Sequence, residues 1–123
     1  MPEPTLNYDI EGDIMYVVFL PGEKAMNVHL TEHILLRLQP QIKTAVGLML
    51  LDFSALMQPT EAGPSSFPLT ELNQLPGDLK ETVLELLTSP PVNRFLTTSL
   101  YVPKMGDPIP LIHLELSSFS VPA

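Results

Sequence analysis

Residues 14–20 (IMYVVFL) restrict the fold most, because this run of seven apolar side chains is rich in β-branched and aromatic residues. Such residues favour strands, and the run stops at Pro21 and Gly22, which are turn formers. An uninterrupted apolar run predicts a strand that is buried on both faces or nearly so. A membrane-spanning helix needs roughly 20 apolar residues, so no membrane span is predicted.

Four other segments in the first half of the chain have strand-like patterns. The first is joined to residues 14–20 by a Glu-Gly-Asp turn, in which Gly12 is expected to adopt the positive φ of a tight hairpin. Farther along, Pro40 marks a connector, because proline cannot donate to the ladder of a central strand. These features predict an antiparallel β-meander of four to five strands. The additional strand segments are residues 7–10, 26–31, 34–38 and 46–51.

One main amphipathic helix is predicted in the second half. Apolar residues recur at helical spacing over residues 79–87, and Asp78 with Glu81 three positions later resembles a capping box. The helix is expected to end near Ser89, because Pro90 disfavours helical geometry in the residue before it. Residues after the helix look extended in two segments, which are predicted to pair as a closing hairpin. Those segments are residues 96–102 and 109–116.

The length of 123 residues is that of one domain. We predict a single α+β domain over residues 1–123, with the meander in 7–57, a linker or loop in 58–68 where Pro, Gly, Ser and Thr cluster, and the helix plus hairpin in 69–123. The 45% hydrophobic content against 16% charged residues is high for a small monomer. Some apolar surface is therefore expected to be shared with another chain.

Charge and composition argue against several classes of function. Fourteen acidic against six scattered basic residues give a net charge of −8, so direct nucleic-acid binding is not expected, whereas a basic protein would be attracted. Without cysteine the chain has no disulfide, Cys-ligated metal or Cys nucleophile. No nucleotide-binding glycine motif is present, and no cofactor is predicted. The start Met-Pro-Glu-Pro lacks the pattern of a secretory signal, which favours a cytoplasmic location.

Three carboxylates in the first turn, Asp9, Glu11 and Asp13, have the alternate spacing with which calcium-binding loops begin. An EF-hand loop would also place Gly at its sixth position and Glu at its twelfth, where this chain has Ile14 and Leu20. The alternative is a solvated hairpin turn whose charge discourages sheet-to-sheet aggregation.

His29 and His33 are four residues apart and would face one metal ion on a helix. On a straight strand four residues span about 13 Å, so only a turn would bring the two rings together. His113 lies in an alternating segment and is interpreted as an exposed strand residue. A metal-dependent hydrolase built from Asp9, Asp13, His29 and His33 is one alternative function, and no catalytic residue is predicted.

Residues 8–16 (YDIEGDIMY), with residues 46–52 (VGLMLLD), resemble a bacterial family known as domain of unknown function 2283. Its members open with Tyr-Asp, acidic residues and a second Tyr, and close the sheet with a Val-Gly-Ile-Glu-like strand. The resemblance covers residues 7–56, and Met49 stands where the family usually has an acidic residue. It implies a compact β-rich module, and an antitoxin-like role beside a toxin-like partner.

The sequence as a whole predicts a protein-binding module rather than an enzyme. We expect a homo-oligomer or an antitoxin-like complex built around the strands at residues 14–20 and 46–51. A second alternative is an accessory subunit whose proline-rich second half docks on a larger assembly.

Overall fold

A computed structural model of the protein describes residues 4–22, 24–57, 66–69, 72 and 74–119. Five strands form one antiparallel sheet, and three further strands form a second sheet. The α+β class, the five-stranded antiparallel sheet, the main helix and the C-terminal hairpin are confirmed. The elements are β1 (Thr5–Asp9), β2 (Ile14–Val18), β3 (Met26–His29), β4 (Ile34–Gln39), β5 (Thr44–Leu51), α1 (Phe53–Leu56), β6 (Ser66–Pro68), α2 (Gly77–Leu87), β7 (Leu96–Tyr101) and β8 (Ile109–Leu114).

The strand order of the first sheet is β1-β2-β5-β4-β3, so the predicted meander is wrong. A meander would pair β2 with β3, but β5 lies beside β2, and β3 lies at the edge. Residues 19–25 connect β2 to β3 across three strand spacings, about 14 Å, which is within the roughly 23 Å reach of seven extended residues. Gln39 Nε2 donates to the Lys24 carbonyl oxygen at 3.3 Å and holds this crossover.

The second sheet has the order β6-β8-β7, and the predicted hairpin is its β7–β8 pair. β6 occupies the end of the segment predicted as a linker or loop, and the remainder of that segment, residues 58–65, lies outside the described residues. Pro68 is compatible with β6 because this strand is at a sheet edge, where a missing amide hydrogen breaks no ladder.

One hydrophobic core joins one face of the first sheet to α2 and to the second sheet. The strands β2, β4 and β5 contribute fully enclosed residues, and so do α2 and both strands of the closing hairpin. Burial in β2 alternates, with Met15 and Val17 buried and Tyr16 half-buried, so one face of the strand is buried and the other is half-buried. The core residues include Met15, Leu36, Leu50, Val83, Leu87, Leu96 and Ile112.

The main helix begins earlier than predicted. Pro76 is its N-cap residue, and no side chain caps the helix, so the capping box proposed for Asp78 and Glu81 is wrong. Pro76 has an extended ψ of 149° and directs the chain into a helix that starts at Gly77, which places Asp78 inside the first turn. An acidic residue there still interacts favourably with the helix dipole. At the other end, Ser89 Oγ donates to the Glu85 carbonyl oxygen at 2.6 Å.

Candidate functional site

The acidic turn between β1 and β2 is organised around Asp13. Asp13 has a φ of 54°, whereas Gly12 is not among the residues with positive φ, so the expectation for Gly12 is wrong. Aspartate tolerates the left-handed region better than most residues because its short polar side chain can hydrogen-bond locally. Here the Asp13 carboxylate accepts hydrogen bonds from the Tyr8 hydroxyl at 2.6 Å, and from the hydroxyl and N–H of Ser54 at 2.6 and 3.0 Å.

These hydrogen bonds shift the acid–base properties of both partners. The Ser54 hydroxyl, followed by the Tyr8 hydroxyl and the Ser54 N–H, lowers the pKa of Asp13. The hydrogen bond to Asp13 in turn raises the pKa of Tyr8. A carboxylate with a lowered pKa is a weak proton acceptor. The hydrogen bonds of Asp13 therefore hold the turn against α1. They do not make Asp13 a base that could activate the Ser54 hydroxyl as a nucleophile.

Asp9 also has a hydrogen-bond partner within this turn. Asp9 Oδ1 accepts a hydrogen bond from the Gly12 N–H at 3.3 Å, which closes the turn on itself. The calcium-loop interpretation of Asp9, Glu11 and Asp13 therefore competes with hydrogen bonds that already engage two of the three carboxylates.

His33 and Asp52 lie at the same end of the first sheet, and their exposed side chains are in contact, with Nδ1 and Oδ2 3.2 Å apart. A turn does connect β3 to β4, with the Thr31 hydroxyl oxygen accepting the N–H groups of His33 and Ile34 at 3.1 Å each. His29, in contrast, lies on β3, opposite Leu35 in the register.

The structure does not assemble the four proposed metal ligands, Asp9, Asp13, His29 and His33, into one site. Within the described part of the chain, no group of three or more His, Asp or Glu side chains could hold a metal ion. His113 contributes to a different surface, where its Nε2 lies 2.7 Å from the Ser99 hydroxyl.

A larger feature is the outer face of the first sheet, the face opposite the core. The register aligns five residues in one row across all five strands, with an apolar centre and polar ends. Tyr16 and Met49 at the centre of the row are half-buried. Leu35, which lies between Met49 and the polar end at His29, is 7% exposed. From β1 to β3 the row is Asn7, Tyr16, Met49, Leu35 and His29.

Neighbouring positions extend this apolar centre along β2 and β5. Ile14 pairs with Leu51 on one side of the row, and Val18 pairs with Gly47 on the other. Six large apolar side chains thus share the outer face, and none of them is part of the hydrophobic cluster on the opposite face, although Leu35 is itself buried. Polar residues occupy both edges of this face. We call the six apolar side chains the apolar face, and they are Ile14, Tyr16, Val18, Leu35, Met49 and Leu51.

A second exposed apolar region lies at the far end of the β7–β8 hairpin. Leu100, Tyr101 and Val102 are 55 to 66% exposed, and Met105 in the connecting turn is 91% exposed. The hairpin is buried at its base and exposed at its tip, as the burial along β7 shows. We call these four residues the hairpin tip.

Sequence reasoning singled out Asp13 but missed Ser54 and the role of Tyr8. Ser54 gave no signal, because a serine acquires this role only when folding brings it to a carboxylate 41 residues away. The apolar face had a usable signal in the alternation of Ile14, Tyr16 and Val18, which the continuous run of apolar residues obscured.

Comparison of the chain with protein-family models, curated proteins and solved structures finds no match. The resemblance over residues 7–56 stays a prediction. Among the described residues, no helix is both long and apolar enough to cross a membrane.

Proposed function

We propose that the protein is an interaction module that self-associates through the apolar face of its first sheet. The observation that supports this proposal is the arrangement of that face. Six large apolar side chains occupy its centre, and polar side chains occupy its edges. An apolar centre inside a polar rim is the usual anatomy of a protein interface.

A second copy of the chain is the partner that suits this surface. Two sheets pack face to face at about 10 Å when their side chains interdigitate. Most homodimers have a twofold axis, so the same patch must complement itself. The apolar face carries no charge at its centre, which permits such self-packing.

A twofold axis parallel to the strands places the β1 edge of one copy over the β3–β4 edge of the other. Asn7 and His29 end the same row of the register. Polar side chains then face each other across the rim, where polar contacts contribute mainly to orientation and association rate.

The size of the face is that of a modest interface. Five strands at about 4.8 Å spacing, with an average length of about 18 Å, present roughly 450 Å² in projection. Side-chain relief raises the accessible area, and the result lies near the lower limit of about 600 Å² per partner for specific complexes. We therefore expect a dimer that dissociates on dilution in the micromolar range.

Light scattering coupled to size-exclusion chromatography, over a range of protein concentrations, tests the proposal. Met49→Lys places a charge at the centre of the apolar face and is expected to give a monomer. Tyr101→Lys makes the same kind of change at the hairpin tip and is expected to leave the dimer intact. Circular dichroism verifies that both variants fold. A wild-type chain that stays monomeric at high concentration, or a dimer lost in Tyr101→Lys and kept in Met49→Lys, would contradict the proposal.

Composition supports two further parts of the proposal. The absence of cysteine suits a cytoplasmic location. The net charge of −8 suits a basic protein as an additional partner, as in an antitoxin-like complex. Co-purification from the native cell tests both, because the partner identifies the compartment as well as the complex.

A further inference from the structure

A cavity of about 520 Å³ lies between the β4–β5 turn, the C-terminal half of α2 and the turn that follows the helix. Its walls include Phe19 after β2, Ala45 at the start of β5 and Leu86 of α2. Cavities of about 300 to 1,000 Å³ are typical of small-molecule sites. None of the six residues of the apolar face lines this cavity.

The walls offer a firm apolar surface. Phe19 and Ala45 are 4% and 3% exposed, so both belong to the core and form a fixed floor that contributes only a small accessible area to the cavity. The ring of Phe19 packs against that of Phe95, with centroids 5.8 Å apart. Leu86 and Pro91, which are half-buried, complete this side of the cavity. An apolar group of ligand size would lose its contact with water here.

Two cations border the same cavity. Lys43 and Arg94 are two of only six basic residues in a chain with a net charge of −8. Neither side chain has a hydrogen bond or ion pair with any other residue that the structure describes. Among the described residues that line the cavity, Glu85 is the one carboxylate, so the charges of these residues sum to a single positive charge.

The backbone at both cations is well fixed. The Lys43 N–H donates to the Pro40 carbonyl oxygen at 3.3 Å in the β4–β5 turn. The Arg94 N–H donates to the Pro91 carbonyl oxygen at 3.2 Å, and the Ser118 hydroxyl donates to the Arg94 carbonyl oxygen. The backbone positions from which both side chains extend are thus fixed at the mouth of the cavity, and the side chains themselves are exposed.

We propose that this cavity binds a small monocarboxylate with an apolar body. The guanidinium of Arg94 and the ammonium of Lys43 hold the carboxylate, and the apolar body lies against Phe19 and Leu86. Arginine suits this role because its planar donors match the two carboxylate oxygens. Glu85 disfavours a second negative charge, so a dicarboxylate binds less well. The site does not depend on the proposed self-association.

Isothermal titration calorimetry with matched probes tests the chemistry. Phenylacetate, indoleacetate and isovalerate carry both features, whereas phenethyl alcohol lacks the charge and acetate lacks the apolar body. We expect binding of at least one of the three carboxylates. Phenethyl alcohol and acetate are expected to bind about tenfold more weakly or worse, because each loses one of the two contacts.

Charge variants then locate the site. Arg94→Gln and Lys43→Gln are expected to weaken binding of the carboxylate by about tenfold. Lys104→Gln removes a cation from the β7–β8 turn and is expected to leave binding unchanged, while Glu85→Gln is expected to strengthen it. Thermal unfolding verifies that these variants, all at exposed positions, are folded. The proposal is overturned if none of the three carboxylates binds, if phenethyl alcohol binds equally well, or if Arg94→Gln behaves like Lys104→Gln.

Discussion

The carboxylate of Asp13 accepts two hydrogen bonds from Ser54, one from the hydroxyl at 2.6 Å and one from the backbone N–H at 3.0 Å. The Asp13 carbonyl oxygen accepts a further hydrogen bond from the Phe53 N–H at 2.9 Å. The first turn of the chain is thereby joined to the start of α1, directly after β5. Both segments lie at the same end of the central β2–β5 pair.

Replacing Asp13 by Asn should make the free energy of unfolding vary less with pH in the acid range. The pKa of Asp13 is lower in the folded chain than its ordinary value of 3.8, so folding favours the ionised carboxylate. This stabilisation is complete above that ordinary value and is lost as the pH falls through the lower folded value. We expect Asp13→Asn to be less stable than wild type at neutral pH, and the difference to shrink in acid. Urea unfolding at several pH values measures it.

Glu11→Gln is the matched control, because it removes the same charge from the same exposed turn. Asparagine keeps the left-handed backbone accessible at position 13, so the comparison concerns the carboxylate and not the backbone. A stability difference between wild type and Asp13→Asn that is constant from neutral to strongly acid pH would contradict the assignment.

Tyr8 should ionise at a higher pH than an ordinary tyrosine. Its pKa is raised from 10.0, chiefly because its hydroxyl donates to the Asp13 carboxylate. The folded state therefore favours the neutral phenol, and that stabilisation is present below the ordinary pKa and lost as the pH rises through the folded value. Ultraviolet absorbance titration, with Tyr8→Phe to assign the signal among the three tyrosines, measures the shift. In Asp13→Asn the pKa of Tyr8 should fall, and an unchanged value would show that another group causes the shift.

Gly47 should not tolerate a side chain. It is buried in β5 between Val18 and Arg37, and an added Cβ would collide with the Val17 carbonyl oxygen. Because a backbone atom cannot rotate away, Gly47→Ala is expected to destabilise the protein by about 1 to 3 kcal/mol. Gly77→Ala is the control, since an added Cβ at Gly77 meets nothing within 4 Å. That change should be neutral or stabilise by up to about 1 kcal/mol. Equal urea midpoints for the two variants would refute the argument.

Two leucines of β7 should differ sharply in their contribution to stability. Leu96 is fully buried and belongs to the core, whereas Leu100 on the same strand is 60% exposed at the hairpin tip. Leu96→Ala is expected to reduce the free energy of unfolding by about 2 to 5 kcal/mol, because it leaves a cavity. Leu100→Ala should change it by less than about 0.5 kcal/mol. Thermal unfolding compares them, and a large loss in Leu100→Ala would mean that the tip is covered.

The sequence predicted the elements of this fold better than their arrangement. Strand segments and α2 are local patterns, so alternation and helical spacing were sufficient. The partner of β2 is not set locally, because the backbone edges of both β3 and β5 could pair with it. The bare backbone of Gly47 fits against the Val17 carbonyl oxygen of the neighbouring β2, and this glycine is visible in the sequence.

The candidate sites were predicted only in part. Asp13 was identified as a polar residue of interest, but its partner Ser54 follows from the pairing of β2 with β5. The capping interpretation of Asp78 failed because Pro76, with its restricted φ, starts the helix two residues earlier. Lys43 and Arg94 are 51 positions apart, so their meeting at one cavity depends entirely on tertiary structure.

The position of β5 between β2 and β4 has a consequence for biosynthesis. A ribosome completes the β1–β2 and β3–β4 hairpins before it makes any of β5, so the nascent chain first holds two ribbons that share no hydrogen-bonded edge. Isolated two-stranded ribbons are at best marginally stable in water. The emergence of residues 44–51 is therefore the moment at which both ribbons gain a common neighbour and the sheet closes.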